Sequence, residues 1–199
     1  MKKKNKAVPV ILAVVLITAA LAAGAYFGGK NVYDSYIASE HPIKYQEYVE
    51  RYADEYGLDK YLVYAFIKTE SGFDPEAVSG TGARGLMQLM EITFDWVKFR
   101  LGDGDEITYD DMFDPETNIR YGAYLVGFLM KKYEDIDTAA AAYFSGVGEV
   151  GDWLENSEYS SDGVHLDRIP SRNAAHYVNK INDAYGVYLK LYAPERNRK

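Results

Sequence analysis

The segment Asp59-Lys60-Tyr61-Leu62-Val63-Tyr64-Ala65-Phe66-Ile67-Lys68-Thr69-Glu70-Ser71-Gly72 decides the reading of this chain. Asp59 suits a helix N-cap, because its carboxylate can accept from the free amides of a first turn. The run through Leu62, Val63, Ala65, Phe66 and Ile67 is apolar almost all round, so the helix is expected to be buried. Glu70 ends it, three and seven residues beyond Ile67 and Val63 and therefore on their stripe. A carboxylate there loses solvation, and the carbonyl end of the helix repels its negative form, so its pKa should rise. A carboxyl kept neutral beside apolar walls can act as the general acid that protonates a glycosidic oxygen. Position alone also admits a frayed helix end with Glu70 pointing into water.

Outward from this segment the pattern stays helical. Upstream, Tyr45, Tyr48, Val49, Tyr52 and Tyr56 recur at helical offsets, and Gly57 stops them as a C′ residue. Downstream comes a Gly-rich loop from Gly72 to Gly85, then an apolar helix expected through Leu86, Met87, Leu89, Met90 and Trp96. Asp114-Pro115 reads as an N-cap and N1 pair opening a helix with Ile119, Leu125, Phe128, Leu129 and Tyr133. Shorter helices are expected around 139–143 and 150–154, and a long one from about Pro170 to Tyr192. Short strand possibilities are confined to 106–109. The fold class is mostly α.

The chain has 199 residues, room for one ordinary domain beside a targeting segment. With no cysteine, disulfide frameworks, thiolate metal sites and cysteine nucleophiles are excluded. His41, His165 and His176 are isolated from one another, so a histidine metal site is not expected, and no metal or cofactor is assigned. Carboxylate chemistry is the main enzymatic option left. Residues 1–30 carry Lys2, Lys3, Lys4, Lys6 and Lys30 and no acid, which leaves 17 basic against 30 acidic residues, a net charge of −13, for residues 31–199. Such a body repels nucleic acid, which is not an expected partner.

Residues 7–29 form a 23-residue stretch without a charge behind a lysine cluster. As a helix it reaches roughly 34 Å, enough for a hydrocarbon core of about 30 Å. The expected plan is a cytoplasmic basic segment at 1–6, a transmembrane anchor or uncleaved signal at 7–29, a polar linker at 30–41, a catalytic domain at 42–192 and a basic tail at 193–199. The lysines place the N-terminus inside and the body outside, a single-pass membrane protein with an extracytoplasmic domain. Ala20 to Ala22 offers a small-residue cleavage site for the alternative, a removed signal peptide.

The motifs around Glu70 carry a resemblance. Glu70-Ser71-Gly72-Phe73-Asp74-Pro75, Gly82-Ala83-Arg84-Gly85-Leu86-Met87-Gln88-Leu89-Met90, Asp114-Pro115-Glu116 with Asn118-Ile119, and Ala142-Tyr143 before Gly146-x-Gly148 follow one another in order. From about Pro42 to Tyr192 the chain resembles the soluble lytic transglycosylase catalytic domain. The resemblance implies a lysozyme-like helical domain cleaving the β-1,4 bond between N-acetylmuramic acid and N-acetylglucosamine in peptidoglycan glycan strands. It implies that Glu70 is the sole acid and then the base, helping the C6 hydroxyl attack C1 to give a 1,6-anhydro product. Gln88 and Met90 match sugar-contacting positions, and Ser79 lies near the acid's loop. Tyr143 matches the tyrosine that supports the glutamate, and Tyr177 a second tyrosine beside it. A hydrolytic goose-type lysozyme, with a second carboxylate from Asp74, Glu76 or Glu91, is the nearest alternative. A weakly catalytic peptidoglycan-binding scaffold is another. The sequence names no partner in the cell envelope.

Two departures stand out. Phe144 and Ser145 replace the family's Asn-Ala in Ala-Tyr-Asn-Ala-Gly, and Asn173-Ala174-Ala175 follows Ile169-Pro170 where Glu-Thr-Arg is frequent. Phe144 is expected either to stack on a sugar face or to turn into the core, leaving Tyr143 alone to support Glu70. Gly80-Thr81-Gly82-Ala83-Arg84-Gly85 matches GxGxxG formally, but it follows a helix rather than a strand and no βαβ unit follows, so its glycines are read as bringing backbone close to a sugar. Asp103, Asp105, Glu106, Asp110 and Asp111 lack the order of an EF-hand and are read as a solvated face rather than a calcium site.

Overall fold

The computed structural model describes residues 7–193, with the side chains of 7–15, 17, 19–21 and 31 outside that description. The expected segment 1–6, and all of the expected tail 193–199 but its first residue, therefore lie outside the described residues. The chain divides into two units, one up to Pro42 and one from Ile43 onward.

The first unit is a single helix, α1, Ala7–Glu40. The stretch expected as a polar linker at 30–41 continues this helix to Glu40. Nothing from Lys30 to His41 breaks a helix, and Pro42 disfavours α geometry at the residue before it. Among the described residues no helix is long and apolar enough to cross a membrane. Most side chains of the expected 7–29 span lie outside the described residues.

The second unit contains, among the described residues, α2 Gln46–Tyr56, α3 Lys60–Glu70, α4 Glu91–Leu101, a 3₁₀ turn Tyr109–Phe113, α5 Pro115–Tyr133, α6 Ile136–Ser145, α7 Val147–Leu154 and α8 Arg172–Tyr192. Its helix ends follow side-chain chemistry. Asp59 accepts from the Tyr61 amide, Asp114 from Thr117, Asp135 from Thr138 and Ser171 from Ala174. Gly57 closes α2 at φ 71°, where a side chain would be strained. α5 packs against α2 and α6, and α8 against α3 and α6.

The interior falls into two apolar clusters. One gathers Val49, Leu62, Val63, Phe66, Ile67, Leu86, Met87 and Ile119 with the inner faces of α6 and α8. The other gathers Leu89, Phe94, Val97, Met112 and Tyr121. Leu86 and Met87 enter the first and Leu89 the second, so one short loop feeds both. Tyr143 packs against both as well.

Two local expectations change. Residues 86–90 are turns and isolated bridges rather than helix, with Val78 paired to Arg84 and Arg84 to Leu89. Gln88 adopts φ 47°, and α4 begins only at Glu91, a favourable acid for a first turn. The strand expected at 106–109 is loop running into the 3₁₀ turn, where Thr108 and Asp111 form a capping box.

Candidate active site

Glu70 is the last residue of α3, whose interior positions Leu62 to Ile67 are buried without break. That anchoring fixes where its side chain emerges. Its Oε1 accepts a hydrogen bond from the Tyr177 phenol of α8 at 2.5 Å. Burial raises its pKa from 4.5 to about 7, against the opposing Tyr177 bond, which favours the charged form. No second carboxylate stands among these causes. Asp74 is exposed and caps its own turn at the Glu76 amide, and Glu76 and Glu91 are exposed.

Tyr143 and Tyr177 are both held well above the ordinary tyrosine pKa, first by burial and then by the Glu70 charge. The three groups therefore form one electrostatic cluster contributed by α3, α6 and α8. The Tyr143 hydroxyl donates to the Met87 carbonyl at 2.6 Å, while its ring centroid lies 4.9 Å from that of Phe66. Its hydrogen bond thus goes to the adjoining loop, and the phenol bonded to Glu70 is that of Tyr177. Phe144 does not take the core position that was one of the two courses expected of it. It is 48% exposed, outside the core, and its ring lies 4.9 Å from that of Tyr177, with the planes 30° apart.

Ser79, Gln88 and Met90 gather in a second group on the loop 77–90. The Ser79 hydroxyl accepts from the amides of Ala83 and Thr81 and pairs with the Thr81 hydroxyl. Gln88 donates its side-chain amide to the carbonyls of Ala77 and Gly85, at 3.0 and 2.9 Å. Met90 is exposed, its sulfur 3.7 Å from the Thr81 hydroxyl. Two bonds tie this loop to the Glu70 cluster: Tyr143 to Met87, and Ser71 Oγ to the Leu86 carbonyl at 2.8 Å.

Asn118, quoted above only as part of a motif, holds the loop from beneath. It is 1% exposed, accepts from the Met87 amide at 2.8 Å, and donates to the carbonyls of Arg84 and Met112 at 3.0 and 2.8 Å. Every strong polar valence of a buried amide but one is thereby used. Its signal in the sequence is a polar residue beside Ile119 at the buried start of an amphipathic helix. Gly85 allows the approach: at φ 74°, a Cβ there would sit 2.0 Å from the Met112 carbonyl oxygen and 2.3 Å from Asn118 Nδ2. The close contact of this glycine is with the protein's own backbone and clamp, not with an open groove. Gly122 likewise leaves room for the Met87 side chain.

The acidic run is mostly engaged in structural bonds. Asp103 accepts from both terminal guanidinium nitrogens of Arg120 at 2.9 Å and from the Tyr121 hydroxyl at 2.7 Å, while Asp110 pairs with Arg84 and Asp111 caps Thr108. Burial opposes ionisation of Asp103, yet these donors hold its carboxyl below the usual range. Beside Tyr143 opens a cleft of about 520 Å³, lined by Ile92, Trp96, Leu125, Phe128, Gly146 and the start of α7. Trp96 and Phe128 meet edge to face in it.

A family profile described as "Transglycosylase SLT domain" matches residues 47–165, more than half of the chain. Membrane-bound lytic murein transglycosylase C of Edwardsiella ictaluri is 38% identical over 74% of this chain and 47% of its own length. Membrane-bound lytic murein transglycosylase F of Desulfosudis oleivorans is 34% identical over 72% of this chain and 36% of its own. The solved structure of the inactive glutamate-to-glutamine mutant of the lytic transglycosylase Slt from Pseudomonas aeruginosa superposes with a TM-score of 0.67. It is 27% identical over 75% of this chain and 24% of that one. The chain thus spans about half or less of the length of the relatives it matches. With the profile laid over α2 to α7 and the same helical architecture in a solved relative, the chain belongs to the transglycosylase SLT domain family.

Proposed function

We propose that this protein is a membrane-anchored lytic transglycosylase, cleaving the β-1,4 bond between N-acetylmuramic acid and N-acetylglucosamine and leaving a 1,6-anhydro end. The observation that carries the reading is the buried carboxyl of Glu70, raised to about 7 and bonded to Tyr177 with no second carboxylate acting on it. Near neutral pH a large fraction of such a group holds its proton. The protonated form donates to the glycosidic oxygen as the bond to C1 breaks. The resulting carboxylate, stabilised by the Tyr177 hydroxyl, then accepts the proton of the C6 hydroxyl as that oxygen attacks C1. One carboxyl serves both half-reactions, and its pKa near the working pH suits it to give and to take. Tyr143 fixes the Met87 carbonyl beside this centre, and Gln88 and Met90 carry the sugar-contacting role on the loop.

Anchoring is supported by the four lysines before residue 7, by the 23 uncharged residues that follow, and by the membrane-bound relatives. The acidic body is then exported and held near the wall by its N-terminal helix.

Mass spectrometry of fragments released from purified peptidoglycan by the full-length protein tests the reading. Anhydro ends are expected. Reducing ends would replace the lyase by a goose-type hydrolase, and no release would leave a binding scaffold. Intact mass of the mature protein tests the anchor, since loss of about 22 residues would show a removed signal peptide.

A further inference from the structure

Phe144 stands where a polar residue is usual in the motif, on the last turn of α6, yet its ring is half exposed. It does not fill the core, and its ring packs against that of Tyr177, 4.9 Å away and 30° from parallel. Tyr177 is only 7% exposed, and its hydroxyl reaches the carboxyl of Glu70 at 2.5 Å. Phe144 and Tyr177 come from different helices, α6 and α8, that pack on each other. From these contacts we infer that Phe144 is a positioning residue: laid against Tyr177, it keeps the Tyr177 phenol directed at the carboxyl of Glu70.

The physical case rests on rotation. The direction of the Tyr177 hydroxyl is set by its side-chain torsions, and the orientation held in the structure is the one that aims it at Glu70. A tilted aromatic neighbour favours that orientation through ring contact and keeps water from the same flank. Asparagine at this position could offer hydrogen bonds but not this flat surface. The chain thus uses packing where the motif has a polar group. Small errors of placement at a proton-transferring group are costly in rate, so the effect belongs in kcat.

This inference rests on the proposed cleavage activity, and the test separates the two. Purified full-length wild type, Phe144→Ala, Phe144→Tyr, Tyr177→Phe and the Phe144→Ala/Tyr177→Phe double variant are assayed for kcat and KM on isolated glycan strands, with thermal melts beside them. Phe144→Ala is expected to lower kcat about tenfold with KM within about twofold, as for an interaction felt in the transition state. Phe144→Tyr keeps the ring and should restore kcat. Tyr177→Phe should cost much less in the Phe144→Ala background than in wild type, because the phenol is no longer held in place. An unchanged kcat in Phe144→Ala, strict additivity in the double variant, or a rise in KM alone, the sign of a sugar-stacking ring, would each overturn the inference. So would a large fall in melting temperature with kcat unaltered per folded molecule. Wild type that releases no fragments would instead sink the activity itself.

Discussion

The hydroxyl of Tyr177 and the carboxyl of Glu70 meet at 2.5 Å although 107 residues separate them. The pairing joins the end of α3 to the start of α8, so two helices that pack against each other meet at the candidate catalytic group. Because the bond favours the ionised carboxyl while burial favours the neutral one, the acid is balanced near neutrality by two opposed effects.

Removing the phenol should expose that balance. Tyr177→Phe deletes the donor that stabilises the carboxylate, so the Glu70 pKa should climb above about 7. In wild type, kcat/KM should fall as pH rises through about 7, since the acid must begin protonated. In Tyr177→Phe the same fall should come at higher pH. A descending limb that stays in place would show that the limb belongs to another group.

Glu70→Gln should abolish cleavage while leaving sugar binding, because the amide is nearly isosteric but transfers no proton. It should also change stability in a pH-dependent way. A pKa raised in the folded state means stability that is full below the unfolded value near 4.5 and is lost as pH rises through about 7. The amide never ionises, so the variant should match wild type at pH 4 and exceed it at pH 9, by about 2 kcal/mol after allowing for partial exposure. Denaturant melts at the two pH values measure the difference, and an equal gap at both would contradict the assignment.

Asn118→Ala should destabilise by about 3 kcal/mol, since it leaves the Met87 amide and two carbonyls without their partner. Activity per folded molecule should fall as well, because the loop carrying Gln88 and Met90 loses its clamp. A melt within 1 °C of wild type would contradict the clamp.

Gly85→Ala and Gly57→Ala make a matched pair. Both positions have positive φ, but only at Gly85 would the new methyl meet backbone, at 2.0 Å. Gly57→Ala should cost about 1 kcal/mol of strain. Gly85→Ala should cost about 3 kcal/mol or more as the loop and α5 are forced apart. Comparable melting temperatures for the two would argue against the tight approach.

Much of the fold was legible because its signals are local. Asp59, Asp114 and Gly57 mark helix ends by the bonds and dihedrals their side chains permit, and the structure has them in those roles. The segment 86–90 has the apolar spacing of a helix yet is a loop, because its apolar residues serve two different clusters, a tertiary arrangement that mimics helical spacing. Glu70 was visible as a carboxylate on an apolar stripe. The Tyr143 bond to Met87 and the Phe144 contact with Tyr177 were not, since both depend on how α6 lies against other elements. The clamp role of Asn118 is not legible locally, because nothing near it in sequence shows which carbonyls and amide it will meet.

The clamp under residues 84–89 also bears on motion. The Met87 amide is held by the side chain of Asn118 on α5, and Asn118 is buried beneath the loop. For that amide to exchange its hydrogen with solvent, Asn118 must leave its pocket, which means loosening the start of α5 rather than fluttering a surface loop. The loop at Met87 should therefore exchange as slowly as the helix interior although it has no regular structure. Under the proposed function, a glycan strand binding over this loop would meet a segment whose ordering entropy was already spent in folding, so binding should add little further protection at Met87.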